Sequence, residues 1–214
     1  MSDNKEDITE KGIVTNEVSI KRYFAYESYD EKCFHGWEYD LRLGNEYYST
    51  TSDLPVYLDE KSPYVAIRSG DFALLITKEK LRMPLDVMAF ISIKFTYKQK
   101  GLINISGFHV DPGYKGKIIF SVYNAGPNDI ILKEGDSVFM IFFQGLGQRI
   151  KEESSEHSFE SIPVNMISSI RGRSASLSAN AEKIDRVEHY VKFYGAIAVA
   201  IIMVLLGVIF KKLI

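Results

Sequence analysis

The stretch from Phe193 to Phe210 carries no charged side chain over eighteen consecutive positions, and Lys211 and Lys212 follow it directly. As a helix it spans about 27 Å at about 1.5 Å per residue, close to the thickness of a bilayer's hydrocarbon core. A core helix of a soluble protein seldom runs this far without a polar face. One Lys or Arg at its centre would cost about 2.5–3.5 kcal/mol on insertion. The stretch therefore reads as a single-pass C-terminal anchor that meets the lipid bilayer through 193–210. Phe193 and Tyr194 suit one interface and the lysine pair the other. The N-terminal Met-Ser-Asp-Asn-Lys-Glu-Asp lacks the apolar core of a signal peptide. The expectation is a tail-anchored membrane protein with its N-terminal domain in the cytosol.

The 214 residues leave room for one domain of about 150 residues ahead of the anchor. Twenty-six basic side chains face 28 acidic ones, a net charge of −2, so no nucleic-acid partner is expected. A single cysteine, Cys33, excludes an intrachain disulfide. Cys33 and His35 are neighbours, but further ligands are missing, so no metal site is expected.

Between Glu38 and Phe143 the pattern is that of strands. From Ile91 to Lys98 the chain alternates, with Ile91, Ile93, Phe95 and Tyr97 facing one way and Ser92, Lys94, Thr96 and Lys98 the other. Lys117–Asn124 is a second strand, and Val138–Phe143 a third, apolar enough to be covered on both faces. Asp111-Pro-Gly, Asn124-Ala-Gly-Pro-Asn-Asp129 and Lys133-Glu-Gly-Asp136 supply turns. Short strands, regular turns and no alternating helices point to an all-β barrel or sandwich. A short helix is predicted over 7–13 and a polar connector over 146–173. From 174 to 192 the chain is helical, with Leu177, Ile184 and Val191 seven residues apart and Val187 and Tyr194 on the alternate seam.

Four segments, in order, carry a resemblance. They are Trp37-Glu-Tyr-Asp-Leu-Arg-Leu-Gly-Asn-Glu46, Gly70-Asp-Phe-Ala-Leu-Leu-Ile-Thr-Lys-Glu-Lys-Leu-Arg-Met-Pro-Leu-Asp86, Gly101 to Gly116 with its Asp-Pro-Gly-Tyr-Lys-Gly end, and Ser121-Val-Tyr-Asn-Ala-Gly with Leu132-Lys-Glu-Gly-Asp. Together they resemble the dCTP deaminase/dUTPase superfamily over about residues 7–145. The resemblance implies a distorted, jelly-roll-like β barrel, assembled as a homotrimer with deoxynucleotide sites at subunit contacts. Mg²⁺ would enter through the nucleotide's phosphates.

Departures from the family pattern shape the expected chemistry. Ser121 stands where the deaminases carry the Glu that shuttles protons, and a lone hydroxyl does not do that work near neutral pH. The dUTPase-like elements are Asp111, where a carboxylate orients the attacking water, and Tyr114, where an aromatic packs on deoxyribose. At the family's phosphate-binding run stand Lys94, Phe95, Thr96 and Gln99, and a lysine offers one point of contact where an arginine offers a fork. His109, two residues before Asp111, shares its side of an extended strand. The expected nucleotide-binding set is therefore Lys94, Thr96, Gln99, His109, Val110, Asp111, Tyr114 and Ser121, with Asp111 as the candidate catalytic group.

The domains expected are a barrel over 1–145, the connector over 146–173, the heptad helix over 174–192, the transmembrane helix over 193–210 and a tail over 211–214. The expected function is a deaminase-inactive deoxynucleotide sensor, regulator or membrane effector. Its rivals are a dUTPase-like pyrophosphatase using Asp111, and a structural module for trimerisation or partner binding.

Overall fold

The computed structural model describes residues 9–50, 52, 54–151, 158–170 and 177–213. The chain divides into two units, 1–175 and 176–214. Among the described residues, eleven strands build the first: β1 (Gly12–Ile13), β2 (Tyr39–Ser49), β3 (Val56–Tyr57), β4 (Tyr64–Ile67), β5 (Phe72–Arg82), β6 (Val87–Ile93), β7 (Leu102–Asn104), β8 (His109–Val110), β9 (Lys115–Asn124), β10 (Ile130–Lys133) and β11 (Ser137–Gly145). Its helices are α1 (Glu17–Lys21), α2 (Phe95–Lys98) and α3 (Val164–Ile170).

Nine strands form one antiparallel sheet in the order β7-β9-β5-β2-β11-β6-β8, with β1 on β11 and β3 on β2; β4 and β10 make a separate pair. Irregular register in the β2–β5, β5–β9 and β2–β11 ladders lets the sheet bend. It curls into a half-barrel, so that β6 and β7, far apart in the hydrogen-bonded order, meet in space. Gly44 makes one bend possible, because a Cβ there would lie 2.8 Å from the Thr77 carbonyl oxygen.

Period-2 alternation explains the core. In β9, Ile118, Phe120 and Val122 point inward and are buried. Phe120 stacks on Phe139 of β11 with ring centroids 3.7 Å apart. Leu41, Leu43, Ile141 and Phe143 complete that interior. Asn124, fully buried, ties down the following turn by donating to the carbonyls of Ile67 and Asn128 while accepting from the Gly126 N–H.

Several predicted elements change. Gly12–Ile13 pairs with Gln144–Gly145 as a strand instead of ending a helix; residues 7 and 8 lie outside the described ones. The alternation read through Lys98 stops at Ile93: the Lys94 carbonyl accepts from the N–H groups of Tyr97 and Lys98, and the chain turns into α2. Tyr97 then packs on the core while Phe95 is left 74% exposed. Lys94, Thr96 and Lys98 thus do not share a strand face. In β11 the second face, Met140, Phe142 and Gln144, is only half covered. The polar stretch expected to be a connector is docked for part of its length, with Ile162 and Ile167 buried against Tyr48, Leu74 and Ile76 on the outside of the sheet.

The second unit is one helix, α4 (Leu177–Leu213), of 37 residues. The expected heptad segment and the expected span are continuous within it. Lys183–Gly207 is long and apolar enough to cross a membrane, and every described side chain along it is exposed. Ile184, Val187, Val191 and Tyr194 share that exposure, and a coiled coil requires a partner helix for them.

Candidate functional site

Two clusters of charge grow out of the recognisable motifs. In the first, Asp40, Arg42 and Glu79 come from β2 and β5. Arg42 donates through Nε to Glu79 Oε1 at 2.6 Å and through Nη1 to Asp30 Oδ2 at 2.7 Å, and its backbone N–H reaches Glu79 Oε2 at 2.8 Å. Glu79 is fully buried. Burial raises its carboxyl above the usual carboxylate range, and the Arg42 bonds oppose that rise. Beside this group Asp40, 5% exposed, accepts from Lys94 Nζ and lies 3.2 Å from His35 Nε2. Asp40 Oδ1 is buried without a hydrogen-bond partner.

The second cluster surrounds a cavity of about 190 Å³ at the Asp-Pro-Gly-Tyr turn. β8 ends at Val110, so Asp111 sits at the mouth with its side chain 75% exposed. His109 Nε2 lies 3.4 Å from Asp111 Oδ1. Tyr114 Oη donates to the Lys117 carbonyl, and burial pushes its hydroxyl up to about 12. Ile91, Val110, Ile118 and Ile119 give the cavity an apolar lining, and Ser106 contributes a hydroxyl held by Asn104 Oδ1 at 2.6 Å. The pair of an imidazole and a carboxylate at an apolar pocket can hold a polar ligand's hydroxyl or orient a water.

Of the predicted site residues, His109, Val110, Asp111 and Tyr114 come together here. Ser121 lies on the same face of β9 as Ile119, one step further along, and its backbone N–H meets Ser106 Oγ at 3.3 Å. Lys94, Thr96 and Gln99 do not line the cavity. Lys94 is turned to Asp40, Thr96 sits within α2 and Gln99 caps its C-terminal end.

Sequence reasoning missed Ser106 and, further along the chain, Phe159. The Phe159 carbonyl accepts from the Lys117 N–H at 2.7 Å, a bridge onto β9, and Phe159 lines the cavity. Gly116 allows this approach: φ is +148° there, and a Cβ would stand 2.8 Å from the Phe159 nitrogen. Ser158, which donates to the Lys115 carbonyl, and a Lys80–Glu160 ion pair hold the strap on either side. The signal was present as isolated apolar residues, Phe159 and Ile162, in an otherwise polar run.

Among the described residues no three or more His, Cys, Asp or Glu side chains stand together as a metal site.

With this geometry in view, known proteins can be compared. Residues 15–146 match the family model described as dCTP deaminase-like. A dCTP deaminase of Pyrococcus horikoshii is 30% identical over 124 residues, 58% of this chain and 77% of that one. A dCTP deaminase of Pyrobaculum arsenaticum is 39% identical over 108 residues, 45% of this chain and 61% of that one. Among solved structures, the 2′-deoxycytidine 5′-triphosphate deaminase of Agrobacterium tumefaciens superposes with a TM-score of 0.53 at 15% identity, covering 63% of this chain and 49% of that one, a likeness of fold alone.

Proposed function

We propose that this chain, which belongs to the dCTP deaminase-like family, binds a deoxynucleotide at the His109–Asp111–Tyr114 cavity without deaminating it, and serves as a membrane-anchored sensor or regulator. The observation that carries the reading is the cavity itself, lined by His109, Val110, Asp111 and Tyr114; Ser121 on β9 is not among its lining residues, and by the resemblance it stands where the deaminases carry a proton-shuttling carboxylate. Asp111 would accept from a sugar hydroxyl, and Tyr114 would pack on the sugar ring. Lys94 is engaged by Asp40, so phosphate contact rests on other groups.

Assembly as a homotrimer is supported by a ladder of rings on the half-covered face of β6 and β11. Trp37, Phe142, Phe90, Phe108 and His109 succeed one another at centroid separations of 5.8, 5.3, 6.2 and 5.1 Å. Trp37 and Phe108 are exposed, a costly arrangement for a monomer and a natural one for a subunit contact that ends at the cavity. The long apolar stretch of α4 supports anchoring through 193–210, and this reading puts the barrel in the cytosol.

Thermal unfolding of the full chain in uncharged detergent, with each dNTP in turn, tests the reading. At least one nucleotide raises the midpoint, with no ammonia released. No shift with any of them leaves only a structural module, and ammonia release from dCTP rules out the non-deaminating reading. The His109–Asp111 contact favours a second reading, hydrolysis of a nucleoside triphosphate. There the pair would take the proton of a water attacking the α-phosphorus as pyrophosphate departs. Pyrophosphate formation abolished by Asp111→Asn selects it.

A further inference from the structure

A second cleft, about 920 Å³, shares no lining residue with the His109–Asp111 cavity. Its walls come from the N-terminal segment, α1 and the end of β5. Lys11, Arg22, Arg82 and Arg149 line it against two carboxylates, Glu10 and Asp86. Asp86 is committed within the fold, since it accepts the Thr9 N–H at 2.5 Å and is nearly buried. Backbone pairing brings two of the arginines together: the Arg82 N–H donates to the carbonyl of Tyr23, the residue after Arg22, at 2.7 Å. Arg42, by contrast, has a carboxylate on each side. Neither the Arg22 nor the Arg82 guanidinium makes a hydrogen bond or ion pair with any described residue. Neutral donors stand beside them. Tyr23, whose hydroxyl burial raises and so keeps protonated, lines the cleft with Asn16 and Ser19.

We propose that this cleft is a second ligand site, for a phosphate-class anion, with Arg22 and Arg82 as its principal recognition residues. A guanidinium pairs with a phosphoryl group through two parallel N–H···O bonds, so two of them with a phenol and a hydroxyl satisfy several oxygens at once. The volume is that of a small-molecule site, which fits an oligophosphate or organophosphate group better than a lone phosphate. A soluble phosphorylated compound and a lipid headgroup offer the same chemistry.

Calorimetric titration of the full chain in uncharged detergent, with inorganic tripolyphosphate and separately with dihexanoyl phosphatidic acid, decides the matter. Binding weakens with added salt and falls at least about tenfold in Arg22→Ala/Arg82→Ala, the loss expected for charge-assisted forks. It is unchanged in Asp111→Asn. The Arg22→Lys/Arg82→Lys protein keeps the charge and lacks the fork, and loses a smaller part of the affinity. Arginine-dependent binding of tripolyphosphate identifies a soluble source, and such binding of the phosphatidic acid alone identifies a headgroup. Absence of binding to both probes, binding unchanged in Arg22→Ala/Arg82→Ala, or binding lost in Asp111→Asn overturns the proposal.

Discussion

Arg42 with Glu79, and His109 with Asp111, each set a nitrogen base beside a carboxyl group within motifs of the same resemblance, yet they are built for different ends. Glu79 has no contact with water, and every polar atom of Arg42 that can be seen to bond does so within the fold. Asp111 keeps most of its side chain in solvent, and its carboxylate stands 3.4 Å from His109 Nε2 at the lip of a cavity. A buried ion pair is expensive to break and does nothing else. An exposed pair costs little to keep and retains bonding capacity for something not yet there.

The sharpest way to break this contrast is Arg42→Ala. It strands the Glu79 carboxylate, and a loss of about 3–5 kcal/mol is expected in denaturant unfolding followed by Trp37 fluorescence. The deficit shrinks as pH falls. A carboxyl with its pKa raised in the folded state contributes stability only while protonated, and that contribution disappears as pH rises through the folded value. Lys94→Ala is expected to cost about 1–3 kcal/mol, by leaving Asp40 to His35 alone, with nucleotide affinity unchanged. A loss of affinity with no loss of stability would return Lys94 to the site. Gly116→Ala should cost about 1–3 kcal/mol, since the new methyl meets the Phe159 backbone at a positive φ; faster proteolysis at Phe159 would report the displaced strap. Asp111→Asn is expected to move stability by no more than about 0.5 kcal/mol while removing the dNTP-induced rise in the unfolding midpoint. If it destabilises the barrel instead, Asp111 is a turn-capping residue and the contrast fails.

Strands were legible where one face is buried. Ile91 and Ile93 in β6 and the even-numbered residues of β9 follow a period of two because a single core enforces it. The pattern misled at Phe95 and Tyr97, where apolar residues still alternate but the backbone has turned helical. At that turn Lys94 reaches Asp40, 54 residues away, and no local window contains that contact. Asp111, His109 and Tyr114 were legible because six consecutive residues, the end of β8 and the turn after it, place them together. Ser106 and Phe159 were not, since one depends on a loop held by Asn104 and the other on a strap arriving from beyond β11. The Arg22–Arg82 cleft was hidden for the same reason, its parts lying 60 residues apart in sequence.

Phe159 belongs both to the cavity wall and to the segment that leads, along the chain, from the barrel toward α4. A molecule that gained affinity from Phe159 would, by reciprocity, tighten the strap's hold on β9 by the same factor. For such a molecule, filling the cavity and fastening the strap would be one equilibrium seen from two ends.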